Sequence, residues 1–210
     1  MKAECNRLPI SSFLQALLLI STLNAASCGK TSLSQEAYIR WVGDPENGLS
    51  QQQKTSELQY TLLFKPKPYV VLKTMPTAGK DRGSFDTAEN DLDDLNYASL
   101  WLESADGTDL LKRGRPAPEE LDRRARYCSF DIQHDLALIE GPDTLACVFA
   151  HWERLGSLTS RQHFILAFEK SRAPAPCDKV FLFKNRLLSE ETVRFTIPQK
   201  ALEQVPTLAF

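Results

Sequence analysis

The sequence lacks several features that would define its class directly. It contains no C-x-x-C pair and no G-x-S-x-G motif, so a zinc or thioredoxin-type site and an α/β-hydrolase nucleophile elbow both lack support. It has only three histidines, and no serine or cysteine partner is evident for them. Its formal net charge of −2 argues against a nucleic-acid partner, which would favour a clustered basic surface.

The sequence also lacks an apolar run of the roughly 20 residues that a membrane-spanning helix needs. The longest apolar stretch, from Phe13 to Leu23, follows the basic residues Lys2 and Arg7 and precedes small residues. A basic start, roughly ten apolar residues and small residues before a cleavage site are the parts of a secretory signal peptide. We therefore predict a signal peptide over residues 1–27. A short buried helix of a cytoplasmic domain is the alternative interpretation.

The residues at the end of this signal, Ala25-Ala26-Ser27-Cys28, resemble the lipobox of bacterial lipoproteins. The strongest form of that motif has Leu where Ala25 stands. The resemblance implies cleavage before Cys28, diacylglyceryl transfer to its sulfur and acylation of the new amino terminus. Because each buried CH₂ contributes about 0.8 kcal/mol, two or three acyl chains hold a protein on a membrane far more firmly than one. A simple cut that releases a soluble product with a spare thiol is the alternative.

The residues after Cys28 contain no acidic cluster of the kind that directs some Gram-negative lipoproteins to the cell surface. We therefore expect a protein of the outer membrane that faces the periplasm. The remaining chain divides into a lipidated terminus with a short tether, residues 28–33, and one globular domain, residues 34–210.

Three cysteines remain in this domain, Cys128, Cys147 and Cys177. They are an odd number for an oxidising compartment, so either one pair forms a disulfide bond or all three stay reduced. Cys147 lies in an apolar run, and we expect its thiol to be buried and inert.

Two helices are predicted from capping and periodicity. The first runs from about Leu33 to Val42, with Ser34 as its N-cap, and ends at Gly43-Asp44-Pro45. The second covers Pro116 to Arg126, with acidic residues at its start and basic residues at its end, as the helix dipole favours. Two polar stretches are predicted to be loops or polar helices: residues 46–57 and 74–95.

Apolar alternation predicts strands through most of the remaining chain. The predicted strands are Leu58–Phe64, Tyr69–Leu72, Tyr127–Ile132, Asp135–Glu140, Thr144–Glu153, Gln162–Glu169, Lys179–Lys184 and Thr192–Ile197. Short strands separated by turns at about 8–12-residue spacing favour a β-sandwich or barrel. We expect a mainly β, β-sandwich-like antiparallel fold with an N-terminal helix and one or two short flanking helices. An α+β fold is the alternative.

One hairpin can be predicted in register. A turn centred on Ser157 places Ala150 opposite Phe164 on an apolar face and His151 opposite His163 on the other face. The same register places Val148 opposite Leu166 and Ala146 opposite Phe168, on the same apolar face. A structure in which Ala150 and Phe164 are not cross-strand partners would contradict this register.

The paired histidines are a candidate metal site. Two imidazoles from His151 and His163, with Glu153 nearby, are ligands suited to zinc or copper. A polar ladder on the solvent face is the simpler interpretation, and a third strong ligand is not evident. We therefore assign no metal, no other cofactor and no catalytic residue.

Residues 34–49, SQEAYIRWVGDPENGL, and residues 125–154, ARYCSFDIQHDLALIEGPDTLACVFAHWER, resemble segments of small lipoproteins of the Gram-negative cell envelope. The resemblance implies a single-domain lipoprotein and carries no activity. We expect a non-enzymatic, lipid-anchored envelope protein that binds a protein or glycan partner or serves as a structural subunit. A membrane-tethered hydrolase or glycan-processing enzyme is the alternative. Three tryptophans are candidates for a sugar-binding surface, although core packing is the expectation for each: Trp41, Trp101 and Trp152.

Overall fold

The computed structural model describes residues 31–75, 81–92, 94–153, 160–172, 176–186 and 188–210. The predicted signal peptide, Cys28 and the turn centred on Ser157 lie outside these residues. Among the described residues, no helix is both long enough and apolar enough to cross a membrane.

The described residues form ten strands and five α-helices. The strands are β1 (Ser32–Leu33), β2 (Ser50–Lys54), β3 (Leu58–Lys65), β4 (Leu95–Ser104), β5 (Leu136–Glu140), β6 (Asp143–Glu153), β7 (Arg161–Glu169), β8 (Lys179–Asn185), β9 (Glu191–Ile197) and β10 (Thr207–Leu208). The α-helices are α1 (Gln35–Gly43), α2 (Lys67–Thr74), α3 (Arg82–Asn90), α4 (Pro118–Arg126) and α5 (Gln199–Glu203).

In the described part of the chain, eight antiparallel strands form one curved sheet in the order β2-β3-β4-β7-β6-β5-β8-β9. The two edge strands of this sheet lie close together. Gln51 on β2 donates from Nε2 to the Thr196 carbonyl on β9 at 2.6 Å. Asn185 on β8 likewise donates to the Tyr60 hydroxyl on β3 at 3.0 Å. The sheet is therefore nearly closed and barrel-like. The predicted β-rich, antiparallel class is confirmed, whereas these ladders join the strands into one sheet and not the two of a sandwich.

The interior of the curved sheet is filled by large apolar side chains. Tyr60, Leu100, Phe164 and Phe183 come from four different strands and are fully buried. Alternate residues of a strand point to the same face, so each strand supplies its apolar set to the interior. An eight-stranded closed sheet leaves an interior just wide enough for side chains to fill, which agrees with this packing.

The first helix follows its sequence signals closely. The Ser34 side chain accepts the Ala37 N–H at 3.4 Å and caps α1, which ends at Gly43 as predicted. Tyr38 and Val42 from the predicted apolar stripe are fully buried. Helix α4 also starts and ends near its predicted bounds, with acidic residues in its first turn and basic residues in its last.

The two ends of the domain meet in a short parallel ladder. Ser32 pairs with Thr207, and Leu33 pairs with Leu208. The Leu33 carbonyl accepts the Ala209 N–H at 2.8 Å, which extends this contact by one residue. Two residues of the expected tether therefore belong to the folded unit.

Three secondary-structure predictions are wrong. Tyr69–Leu72 lies in helix α2, because Pro66 and Pro68 stand at its N-cap and first turn, where proline fits a helix. The polar residues of β2, predicted as a loop or helix, form an edge strand paired to β3. The predicted strand Tyr127–Ile132 continues α4 as a π-helix and then a 3₁₀-helix.

The predicted hairpin register is also wrong. Ala150 faces Leu166 and Trp152 faces Phe164, which is a shift of two residues from the prediction. A bulge between Cys147 and Phe149 accommodates an extra residue, and Val148, predicted to be in the core, is 47% exposed. Beyond the bulge, a shift of two leaves each residue on its predicted face, so the apolar pattern alone does not distinguish the two registers there.

Candidate functional site

The structure does not bring the two candidate metal-binding histidines together. His151 faces Ile165 across the β6–β7 ladder, is exposed, and stacks on Phe149 with ring centroids 6.2 Å apart. His163 instead faces Glu153. The paired imidazoles on which the metal hypothesis depended are therefore absent, and the described residues contain no group of three or more His, Cys, Asp or Glu placed to hold a metal ion.

His163 is the centre of a hydrogen-bonded group on the outer face of the sheet. Its Nδ1 lies 2.6 Å from Glu153 Oε2, and its Nε2 lies 2.9 Å from Ser99 Oγ. Its ring stacks on Trp101 with centroids 4.5 Å apart and planes within 4° of parallel. We call these four residues the His163 cluster.

The hydrogen bonds assign the tautomer of His163. An ionised carboxylate only accepts, so Nδ1 carries the proton donated to Glu153, and Nε2 accepts from the Ser99 hydroxyl. Burial lowers the pKa of His163, and the bond to Glu153 opposes this shift without overcoming it. The neutral imidazole with both nitrogens bonded is therefore the stable form.

Ser99, His163 and Glu153 follow the hydrogen-bond order of a hydrolase triad. Sequence reasoning missed this arrangement, because Ser99 precedes His163 by 64 residues and reaches it only through the β4–β7 ladder. The Ser99 side chain is fully buried in the middle of β4, between its ladder partners Leu63 and Ile165. A substrate has no access to this hydroxyl, so the cluster functions as a satisfied structural network.

A second buried polar network holds the irregular helices against the sheet. The Asp135 carboxylate is buried, accepts the Tyr127 hydroxyl at 2.7 Å and forms an ion pair with Arg186 on the turn after β8. Burial, followed by the hydrogen bond to Asp135 and the charge of that carboxylate, raises the pKa of Tyr127. The phenol therefore stays protonated and keeps donating to the carboxylate.

A cavity of about 370 Å³ lies at one end of the curved sheet. Strands β3, β5 and β7 end there, β4 and β8 begin there, and residues of and after α5 cover it. We call it the mouth pocket. Its lining residues are Phe64, Lys65, Pro66, Lys67, Pro68, Leu95, Asn96, Tyr97, Glu140, Lys170, Lys179, Leu202 and Val205.

One lysine of the mouth pocket has its charge balanced inside the protein. Glu140 and Lys179 are ladder partners that form an ion pair, with 4% and 14% of their side chains exposed. Three further lysines line the pocket: Lys65, Lys67 and Lys170. Lys65 is half-buried, which lowers its pKa, while the charge of Glu153 opposes this shift. The pocket wall therefore combines apolar side chains with four lysines, one of which is ion-paired with Glu140.

None of the three remaining cysteines, Cys128, Cys147 and Cys177, forms a disulfide bond within the described residues. Cys147 is buried, as predicted, and burial raises its pKa to about 11. Its thiol is therefore protonated at neutral pH and is a poor nucleophile.

Comparison of the chain with models of protein families, with curated proteins and with solved structures finds no match.

Proposed function

We propose that this chain is a lipid-anchored protein of the cell envelope, attached through Cys28 and facing the periplasm from the outer membrane. In this proposal the β-rich domain acts as a binding module, with the mouth pocket as its ligand site. The observation that carries the binding part is a preformed, mostly apolar pocket with a few charged residues in its wall at one end of the sheet. Small-molecule sites in proteins are typically concave, apolar and marked by a few polar groups.

The geometry of the His163 cluster favours binding over the hydrolase alternative. Ser99 is the residue whose hydrogen bonds resemble those of a catalytic nucleophile, and it is fully buried. A nucleophile must come within about 3.5 Å of the atom that it attacks. The wall of the mouth pocket contains neither Ser99 nor His163, so the pocket and the triad-like group are separate.

The anchor is tested by replacing the lipidated cysteine. Cys28→Ala is expected to abolish incorporation of labelled palmitate and to leave the precursor uncut by the lipoprotein signal peptidase, because the thiol is the acceptor of the lipid. The matched control is Cys177→Ala, which removes a partly exposed thiol in the domain and should preserve labelling and cleavage. Normal maturation of the Cys28→Ala protein would contradict the anchor.

Partner binding is tested by crosslinking in the native membrane, followed by mass spectrometry. A binding module for a protein or glycan is expected to give a recurrent crosslinked species that depends on the folded domain. A structural subunit would instead purify with stoichiometric neighbours before crosslinking. Absence of both species would restrict the binding module to small ligands.

A further inference from the structure

We propose that a second cavity, separate from the mouth pocket, binds a small zwitterion that carries both a carboxylate and an ammonium group, as an amino acid or a short peptide does. The cavity has a volume of about 390 Å³. Its wall contains three arginines, Arg123, Arg126 and Arg186, and two aspartates, Asp131 and Asp135. We call it the arginine pocket. The proposal is independent of the proposed function, because the two concern different residues.

The arginine pocket lies where three consecutive helical segments meet the turn after β8. Helix α4 passes into a π-helix, Tyr127–Asp131, and then into a 3₁₀-helix, Ile132–Asp135. π-Helices are rare, and their single turns are frequently found at functional sites. Strand β5 begins at this pocket and ends at the mouth pocket, whereas β8 ends here and begins there. The two cavities therefore lie at opposite ends of the same two strands.

Arg186 is the cation that the fold holds in place. The buried Asp135 carboxylate pairs with the Arg186 guanidinium through Oδ1 and accepts the Tyr127 hydroxyl through Oδ2. The Arg186 side chain is nevertheless 71% exposed. A guanidinium has five N–H donors, and this ion pair is made by one of its nitrogens, Nη2. Arg186 therefore keeps donors for a ligand while Asp135 fixes its position.

Arg126 and Asp131 supply one charge of each sign that the described residues leave unpaired. Both are exposed in the wall of the pocket, and neither forms a hydrogen bond or an ion pair with a described residue. Arg123, by contrast, forms an ion pair with Glu120 on the same helix. Once the ion pairs are counted, the wall has no excess of either sign. What remains is one cation and one anion in the same cavity.

This charge pattern matches a zwitterion better than a simple ion. The guanidinium groups of Arg126 and Arg186 suit a planar carboxylate, and the Asp131 carboxylate suits an ammonium group. A simple anion would meet Asp131, and a simple cation would meet the arginines, so each would bring like charges together. His134 also lines the pocket, and its ring nitrogens can donate to or accept from the ligand.

The size of the cavity agrees with a ligand of this class. Small-molecule sites occupy about 300–1,000 Å³, and the arginine pocket lies at the lower end of this range. An amino acid or a dipeptide is among the smallest molecules that carry both charges. The wall is also built from two segments distant in sequence, α4 to Asp135 and the turn at Arg186, so folding preforms it before a ligand arrives.

The test measures the thermal stability of the purified full chain with each of the twenty standard amino acids and with glycylglycine. At least one of these ligands is expected to raise the Tm, and calorimetric titration is expected to give its Kd. The methyl ester of that ligand lacks the carboxylate, and its N-acetyl form lacks the ammonium group. Each is expected to bind roughly tenfold more weakly, because each loses charge-assisted contacts. Tighter binding of glycylglycine than of glycine would assign the ligand to peptides, and the reverse order to free amino acids.

Two variants place the ligand in the pocket. Arg126→Gln and Asp131→Asn each remove one unpaired charge and should each weaken binding roughly tenfold. With the N-acetyl form, Asp131→Asn should cause no further loss, because no ammonium group remains to pair with the carboxylate. The matched control is Arg40→Gln, which changes an exposed arginine in the last turn of α1 and should leave binding unchanged. Urea unfolding of each variant confirms that the domain is folded.

Three results would overturn the proposal. The first is the absence of binding by every one of these ligands at millimolar concentration. The second is equal binding of the parent ligand and its N-acetyl form, because the site would then recognise a simple anion. The third is binding that Arg126→Gln leaves unchanged and that Val205→Trp, in the mouth pocket, abolishes. None of the three bears on the anchor at Cys28, which has its own test.

Discussion

The His163 cluster and the mouth pocket differ in whether they leave room for a ligand. In the cluster, both nitrogens of His163 are hydrogen-bonded, and the serine at the end of this hydrogen-bonded chain is fully buried. The mouth pocket is instead a cavity of about 370 Å³ with a mostly apolar wall that contains the Glu140–Lys179 ion pair. The group that resembles catalytic machinery is thus internally complete, whereas the pocket has space for a small ligand.

The largest expected effect on stability comes from the ion pair in the pocket wall. Glu140→Ala removes one partner of a buried pair and leaves the Lys179 ammonium uncompensated. The free energy of unfolding should fall by about 3–5 kcal/mol, measured by urea denaturation of the full chain. The control is the double change Glu140→Leu and Lys179→Met, which removes both charges and should recover most of that loss. Equal losses in both proteins would show that the pair is not the source of the effect.

The next largest expected effect on stability distinguishes His163 from His151. His163→Ala removes two hydrogen bonds and the stack on Trp101, and leaves the buried Ser99 hydroxyl without its partner. The free energy of unfolding should fall by about 2 kcal/mol. His151→Ala, on the same sheet face but exposed, should change it by less than about 0.5 kcal/mol. Similar losses in both variants would contradict a structural role specific to the cluster.

The pH dependence of the unfolding free energy provides a second test of the structural role of His163. The pKa of His163 is lower in the folded protein than its ordinary value of 6.5, so below that value the unfolded chain binds more protons. The contribution of His163 is therefore fully present above about pH 6.5 and is lost as the pH falls towards the folded pKa. His163→Gln should reduce the slope of unfolding free energy against pH in this window, measured by urea denaturation. An unchanged slope would contradict the neutral, buried imidazole.

The smallest expected effect on stability belongs to an exposed lysine outside both regions. Lys54→Gln, at the end of edge strand β2, should change the free energy of unfolding by less than about 0.5 kcal/mol, because its side chain is exposed. Urea denaturation measures the change. A loss above about 1 kcal/mol would show that an exposed edge position contributes as much as the buried groups of the cluster.

Local signals were sufficient where they act within a few residues. The N-cap of α1 at Ser34 and the charge order of α4 were predicted because capping and helix dipoles depend on neighbouring residues. Strands β5 to β9 were predicted because alternation of apolar residues directly records which face is buried. These features determine the β-rich class of the domain.

Features that depend on distant pairing were missed. Apolar alternation along β6 and β7 is the same after a shift of two residues, so it does not determine the register of this pair. The bulge at Val148 has no sequence signal of its own. Ser99 meets His163 only because β4 pairs with β7, and the wall of the mouth pocket comes from separate segments between Phe64 and Val205. Pro66 and Pro68, at the start of α2, were misinterpreted as a break between two strands. Proline is found both at strand edges and in the first turn of a helix, so its presence does not distinguish the two.

Native mass spectrometry of the intact chain, purified gently from its own membrane, tests most directly whether the mouth pocket and not the His163 cluster is the ligand site. The wild-type protein and the Ser99→Ala variant are expected to retain the same bound small ligand, because the buried serine is outside the pocket wall. The Val205→Trp variant, which fills the apolar part of the mouth pocket, is expected to lose it. Retention by the pocket variant together with loss by Ser99→Ala would contradict the account and assign the ligand to the His163 cluster.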